Sequence, residues 1–133
     1  MYEITVCRMF AAAHALRLYD GSMEPVHGHN WSVKVTVAAD ELDAMEVVMD
    51  FHVLEKAVDD LIAAVNNGHL NHVPPFAAAG PGENELAVNP SAERVAWWIG
   101  TEVAPQLPAH VRLTCVEIGE APGCLATYRP NRP

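Results

Sequence analysis

Apolar and polar positions alternate along residues 28–39, GHNWSVKVTVAA. Trp31, Val33, Val35 and Val37 fall on one side, and Asn30, Ser32, Lys34 and Thr36 on the other. A period of two is that of a strand with one buried face. Residues 2–13, with Ile4, Val6 and Phe10, predict an earlier strand. The segment between the two carries Asp20-Gly21 and Pro25 and is too long for a tight hairpin. The period then changes. Val53, Leu54, Ala57, Val58, Leu61, Ile62 and Val65 recur at spacings of three and four, which predicts a helix with Asp50 as its N-cap. Residues 67–89 show no period and contain Pro74, Pro75, Gly80, Pro81 and Gly82. A loop of that length inside a domain is usually functional or mobile. Asn89-Pro90 opens a second predicted helix, with Ala92, Val95, Ala96, Ile99 and Val103 as its buried stripe and Pro105 and Pro108 at its end. Residues 111–119 and 124–129 predict two closing strands that turn at Ala121-Pro122-Gly123. The order β-β-α-α-β-β is an α+β pattern. Two helices would cover one face of a four-stranded antiparallel sheet, leaving the other face for water or another subunit.

Composition narrows the class. The chain has 133 residues, enough for one domain spanning 1–133 with its own core, and half of them are apolar. Eight basic residues against seventeen acidic give a formal net charge of −9. That balance argues against a nucleic-acid partner, though a small anion could still be held by one or two local cations. No apolar run is long enough to span a membrane, and Met1-Tyr2-Glu3-Ile4 does not begin a secretion signal. Cys7, Cys115 and Cys124 are odd in number and lack CxxC spacing. They read as buried thiols of a reduced, cytoplasmic protein. Met9, Met45 and Met49 read as core or edge packing. Of the adjacent Trp97 and Trp98, one should pack in the core and the other at a subunit contact.

The candidate chemistry lies in histidines. His27 and His29 stand two apart at the start of a strand, so both side chains share one face, with Gly28 between them. His14 ends the preceding strand and can come alongside. Three neutral imidazoles with an open fourth position describe a catalytic-type zinc site. An HxH pair alone is a weak signal in a chain that also carries His52, His69, His72 and His110.

The surrounding motifs are more specific. Phe10-Ala11-Ala12-Ala13-His14, His27-Gly28-His29-Asn30, Val48-Met49-Asp50-Phe51, Leu70-Asn71, Asn89-Pro90-Ser91-Ala92-Glu93, Val116-Glu117 and Tyr128 occur in that order. This series resembles the 6-pyruvoyl-tetrahydropterin synthase / 6-carboxytetrahydropterin synthase family from Ile4 to Tyr128. The resemblance implies the tunnelling fold, in which subunits join their sheets into a barrel, commonly as a homohexamer built from two trimers. It implies a zinc-dependent pterin lyase or synthase of queuosine or folate biosynthesis. The substrate would be 7,8-dihydroneopterin triphosphate or a close relative. Zn2+ would be bound by His14, His27 and His29 and would grip the substrate side chain. Glu117 would accept hydrogen bonds from the amino-pyrimidine edge of the ring, and Ser91 would also bind substrate.

The sequence departs from that pattern at the catalytic positions. The family's cysteine before HGH falls on Met23, and its Asp-His dyad falls on Asn66 and Asn67, which cannot act as bases. Glu24, three residues before His27, resembles a branch of the family in which glutamate replaces the cysteine. That branch is associated with making 6-hydroxymethyl-7,8-dihydropterin. Glu24 is therefore the candidate base, with a solvated loop carboxylate as the alternative, and His69 and His72 are candidate replacements for the dyad histidine. The competing functions are a pterin-binding homologue that has lost catalysis and a different zinc enzyme on the same scaffold.

Overall fold

The computed structural model describes residues 1–78 and 85–131. Gly80, Pro81 and Gly82 of the expected loop lie outside the described residues. β1 (Tyr2–His14) and β2 (His27–Ala39) pair antiparallel along their whole length, with Phe10 opposite Trp31 and His14 opposite His27. β2 pairs with β4 (Arg112–Ala121), which pairs with β5 (Cys124–Tyr128), both antiparallel. A fifth strand corrects the expected four-stranded antiparallel sheet. Gly68–His69, β3, runs parallel to β1 beside Ala12 and Ala13, so the order is β3-β1-β2-β4-β5 and the sheet is mixed. A two-residue strand carries no alternation long enough to detect, which is why it reads as loop. The following Leu70–His72 makes one 3-10 turn.

α1 (Phe51–Ala63) starts where Asp50 accepts a hydrogen bond from the His52 amide. α2 (Ala92–Val103) starts two residues later than Asn89-Pro90 indicates. Ser91 is its N-cap and accepts from the Arg94 amide at 3.2 Å, the arrangement a short hydroxyl side chain favours over proline. Both helices lie on the face that carries Val6, Phe10, Trp31, Val33, Val35 and Val37. Leu54, Val58, Val95, Trp98 and Ile99 close the core against it. Arg8 fastens α1 to β1 through ion pairs to Asp59 and Glu55, which hold its guanidinium above its ordinary pKa. Trp98 is buried, while Trp97 is half-buried beneath the Arg94 guanidinium, 4.8 Å from its ring centroid. The subunit-contact reading of Trp97 has no counterpart within one chain.

Among the described residues no helix or strand covers the other sheet face within one chain. Met9 stands 67 % exposed there and Leu125 64 %. Cys7 and Cys124 are exposed and Cys115 partly so, which corrects the reading of all three as buried. Odd-numbered residues of β1 face away from the helices, and Cys7 falls in that set. Met49 is buried as expected, but Met45 is 81 % exposed in the turn before α1. No helix among the described residues is long and apolar enough to cross a membrane.

Gly100 lets α2 approach the sheet. A Cβ there would lie 2.7 Å from Cδ1 of Tyr128 and 3.1 Å from Cδ2 of Leu113. A Gly100→Val variant should lose about 1–3 kcal/mol to overpacking, despite valine's better helix propensity. The urea midpoint measures this, and an unchanged midpoint would show that Tyr128 swings aside freely.

Candidate metal centre

The β1–β2 register builds the site. His14 lies directly opposite His27, and Ala12 lies opposite His29, so His14 and His29 are diagonal neighbours on the helix-facing side. The three rings stand edge to face, with centroids 4.6, 5.2 and 4.8 Å apart for the pairs 14–27, 14–29 and 27–29. Trp31 floors the cluster, 4.9 Å from His14 and 5.5 Å from His29, with its indole N–H donating to the Ala12 carbonyl. His14 is fully buried.

Backbone carbonyls orient two of the rings. His14 Nδ1 lies 2.8 Å from the Pro90 carbonyl, and His27 Nδ1 lies 2.9 Å from the Pro25 carbonyl. A carbonyl only accepts, so each Nδ1 carries the proton and each Nε2 presents a lone pair. Those two Nε2 atoms face each other at 3.1 Å. His29 Nε2 is buried and has no hydrogen-bond partner. Burial keeps the His14 imidazolium unfavourable, against the pull of the Pro90 carbonyl and Glu120. A divalent ion placed among these nitrogens would accept a lone pair from each of the three rings at once.

A fourth group completes the cluster, and sequence reasoning missed it. Glu120 Oε1 stands 2.9 Å from His14 Nε2 and 3.3 Å from His29 Nε2. One ring nitrogen from each of His14, His27 and His29 and one Glu120 carboxylate oxygen, atoms that could ligate an ion, all lie within 4.8 Å of one another. Strand parity held the signal. Val116 and Ile118 face the core, so Glu120, two residues on, shares their side, next to a bulge between Gly119 and Ala121. The same parity sends Glu117 to the opposite face, where it pairs with Lys34 at 3.7 Å. Within one chain the structure does not bring Glu117 to the histidines.

The other candidates divide. Glu24 comes to the cluster. The chain after His14 folds back so that Leu16 donates to Glu24 Oε1 at 2.9 Å and its carbonyl accepts the Glu24 amide at 3.0 Å. The same oxygen lies 4.0 Å from His27 Nε2. His69, on β3 beside Ala13, stacks on His72 with centroids 4.2 Å apart and accepts from the Asn71 amide through Nδ1. Burial, then the neighbouring His72 and His14, hold its pKa down. His72 is exposed. Ser91 spends its oxygen on the α2 cap one residue after the Pro90 carbonyl. A cleft of about 360 Å3, lined by Ala13, Gly28, His29, Asn30, Asn67 and Gly68 among others, opens beside the cluster. A larger hollow of about 520 Å3 lies at the other end of the sheet near Arg112 and Arg129 and has no part in this chemistry.

The sequence profile of the 6-pyruvoyl tetrahydropterin synthase family matches residues 3–131. The chain is 30% identical over 111 residues to the dihydroneopterin monophosphate aldolase of Pyrococcus furiosus, covering 84% of this chain and 82% of that one. It is 30% identical over 135 residues to the 6-carboxy-5,6,7,8-tetrahydropterin synthase of Bacillus subtilis, covering 98% and 87%. In three dimensions it resembles Plasmodium vivax 6-pyruvoyltetrahydropterin synthase in a variant whose catalytic-residue glutamate is changed to alanine. The TM-score is 0.73, with 16% identity and 98% of each chain covered.

If the cluster is a metal site, His27→Ala and His29→Ala should each lower bound divalent metal from about one ion per chain to well below half. Elemental analysis after gel filtration reads this, and full occupancy in both variants would overturn the assignment.

Proposed function

The chain belongs to the 6-pyruvoyl tetrahydropterin synthase family, and on that premise we propose that it is a zinc-dependent lyase cleaving the side chain of a 7,8-dihydroneopterin phosphate to 6-hydroxymethyl-7,8-dihydropterin. The observation that carries this reading is Glu24, held against the histidine cluster in a chain with no cysteine in residues 20–26, just before HGH, and with asparagines at the dyad. The Pyrococcus furiosus relative is named as an aldolase, and a fold relative uses a glutamate as a catalytic residue. Both fit carboxylate chemistry on this scaffold. Assembly of the bare sheet faces into a barrel, with a site completed by neighbouring subunits, belongs to the same proposal.

His14, His27 and His29 would hold Zn2+, whose donor set of neutral imidazoles suits that ion. Bound there, zinc supplies Lewis-acid polarisation of the substrate's side-chain hydroxyls. The residues supply the rest. Glu24 takes the proton from the hydroxyl on the second side-chain carbon. That oxygen's electron pair forms a carbonyl as the bond between the first and second carbons breaks. The bonding pair moves into the ring imine, and the first carbon then takes back a proton. Glycolaldehyde leaves still carrying the substrate's phosphate or triphosphate group. One oxygen of Glu24 is fixed by the Leu16 amide, so the carboxylate keeps its orientation through the cycle. Glu120 is assigned the ring-edge role that the resemblance gave to Glu117, since a carboxylate accepts two parallel N–H bonds. With three histidines holding it, the ion would keep a position for substrate.

Two measurements test these assignments. With zinc loaded and the products identified, Glu24→Gln should lower kcat on dihydroneopterin monophosphate or triphosphate by about 10²–10⁴-fold with little change in KM. Wild-type rates in that variant would remove Glu24 from the chemistry, and binding without any product in the parent protein would favour the inactive homologue. Glu120→Gln should keep zinc and raise KM by about 10–100-fold, the loss of a charge-assisted hydrogen bond, while Glu117→Gln changes neither. Loss of zinc from Glu120→Gln would make Glu120 a metal ligand instead.

A further inference from the structure

Beyond His14 the edge of the sheet is finished by side chains. In a strand, alternate residues present both their N–H and C=O to the same edge. Residues 11, 13, 15 and 17 face the edge away from β2. Ala11 is met by Asn66 Oδ1 at 3.0 Å and by the Asn67 amide, which donates to its carbonyl at 2.6 Å. The short β3 covers Ala12 and Ala13. From there no backbone strand continues among the described residues. Asn71 takes its place at Ala15, accepting from the Ala15 N–H at 2.9 Å and donating to the Ala15 carbonyl at 2.7 Å. Asn89 repeats the arrangement at Arg17, with distances of 2.7 and 3.0 Å. A carboxamide carries one acceptor and one donor side by side, as a peptide group does, so each asparagine substitutes for one residue of an absent strand.

These two clasps straddle the residues that carry the chemistry. Asn71 holds Ala15, between His14 and Leu16. Asn89 holds Arg17 and is followed by Pro90, whose carbonyl orients His14, and by Ser91, which starts α2. Leu16 lies between the clasped residues and presents its own N–H and C=O the other way, to Glu24. We propose that Asn71 and Asn89 are positioning residues of the metal centre. Their amides hold residues 15–17 extended, and so set the His14 ring and the Glu24 carboxylate at once. This rests on the reading of the histidines as a metal site.

Metal affinity and spectrum test it more directly than turnover does. Zn2+ affinity would be measured by competition with a chromophoric chelator, and the Co2+ absorption bands recorded, for Asn71→Ala, Asn89→Ala and Asn66→Ala. The last removes a clasp from the same edge at Ala11, away from His14. Asn71→Ala and Asn89→Ala should weaken Zn2+ binding by about tenfold or more and shift the Co2+ bands, as losses of groups that orient a ligand do. Asn66→Ala should keep the parent affinity within about twofold at a comparable fall in Tm. Asn71→Asp and Asn89→Asp keep the size and the acceptor but lose the donor, and they should weaken binding in the same direction if the alanine variants do not fold. Parent affinity and unshifted bands in all the Asn71 and Asn89 variants, or an equal loss in Asn66→Ala, would overturn the proposal. A parent protein that binds neither Zn2+ nor Co2+ would overturn the metal reading itself and the positioning role with it.

Discussion

The pairing of β1 with β2 over 13 residues is the constraint from which the rest of the structure follows. It sets Phe10 against Trp31, ring planes 5° apart and centroids 5.9 Å apart, as the middle of the core. It also sets His14 against His27 at the end of the same ladder. Core and site therefore share one register. A slip of one residue would turn Trp31, Val33, Val35 and Val37 outward and send His27 and His29 to the bare face with them. The apolar alternation that buries the core is thus what holds the histidines together. Little separate stabilisation of the cluster is required to place them.

The cluster has the composition of a cation site. Three imidazoles, two of them fixed in tautomer by Pro25 and Pro90, aim lone pairs into one small volume with a carboxylate oxygen. In a low-dielectric setting each unpaired polar atom is costly, and lone pairs at hydrogen-bond distance add repulsion. Folding supplies the convergence, because burial of the Trp31 face outweighs the discomfort at its rim. A bound metal would satisfy those atoms and so would couple its binding to the stability of the strand ends. Glu120 adds a negative charge where a dication would sit, so the site is electrostatically matched to one even in a chain of strongly negative net charge.

The second theme is how the fold reaches beyond its ladder. β1 ends at His14, yet Leu16 and Glu24 are held much as a strand is held. Side-chain amides continue the hydrogen-bond pattern there, each satisfying the N–H and C=O of one residue, while at Leu16 the Glu24 carboxylate accepts from the N–H and the Glu24 backbone amide donates to the carbonyl. Irregular chain at a site is expected to be mobile, but every residue from Ala15 to Arg17 has both backbone groups engaged or a neighbour that does. The site combines the precision of a sheet with the side-chain variety of a loop.

Periodicity alone determined the two long strands, the two helices, the closing hairpin and the shared face of His27 and His29, because each is a local repeat with a single burial solution. The motif series determined the family. Tertiary structure decided the remainder. A two-residue β3 is too short to show a period, and it exists only because β1 offers an unpaired edge. Asp50 was legible as a cap, but the α2 cap passed from Asn89-Pro90 to Ser91 because Asn89 is occupied by Arg17 across the fold. The parity of β4 was written in Val116 and Ile118, yet only the paired sheet shows which strand end meets the histidines. Glu120 is there and Glu117 is not. Cross-strand neighbours are set by register, and register is a property of two segments at once, so no single segment could disclose it.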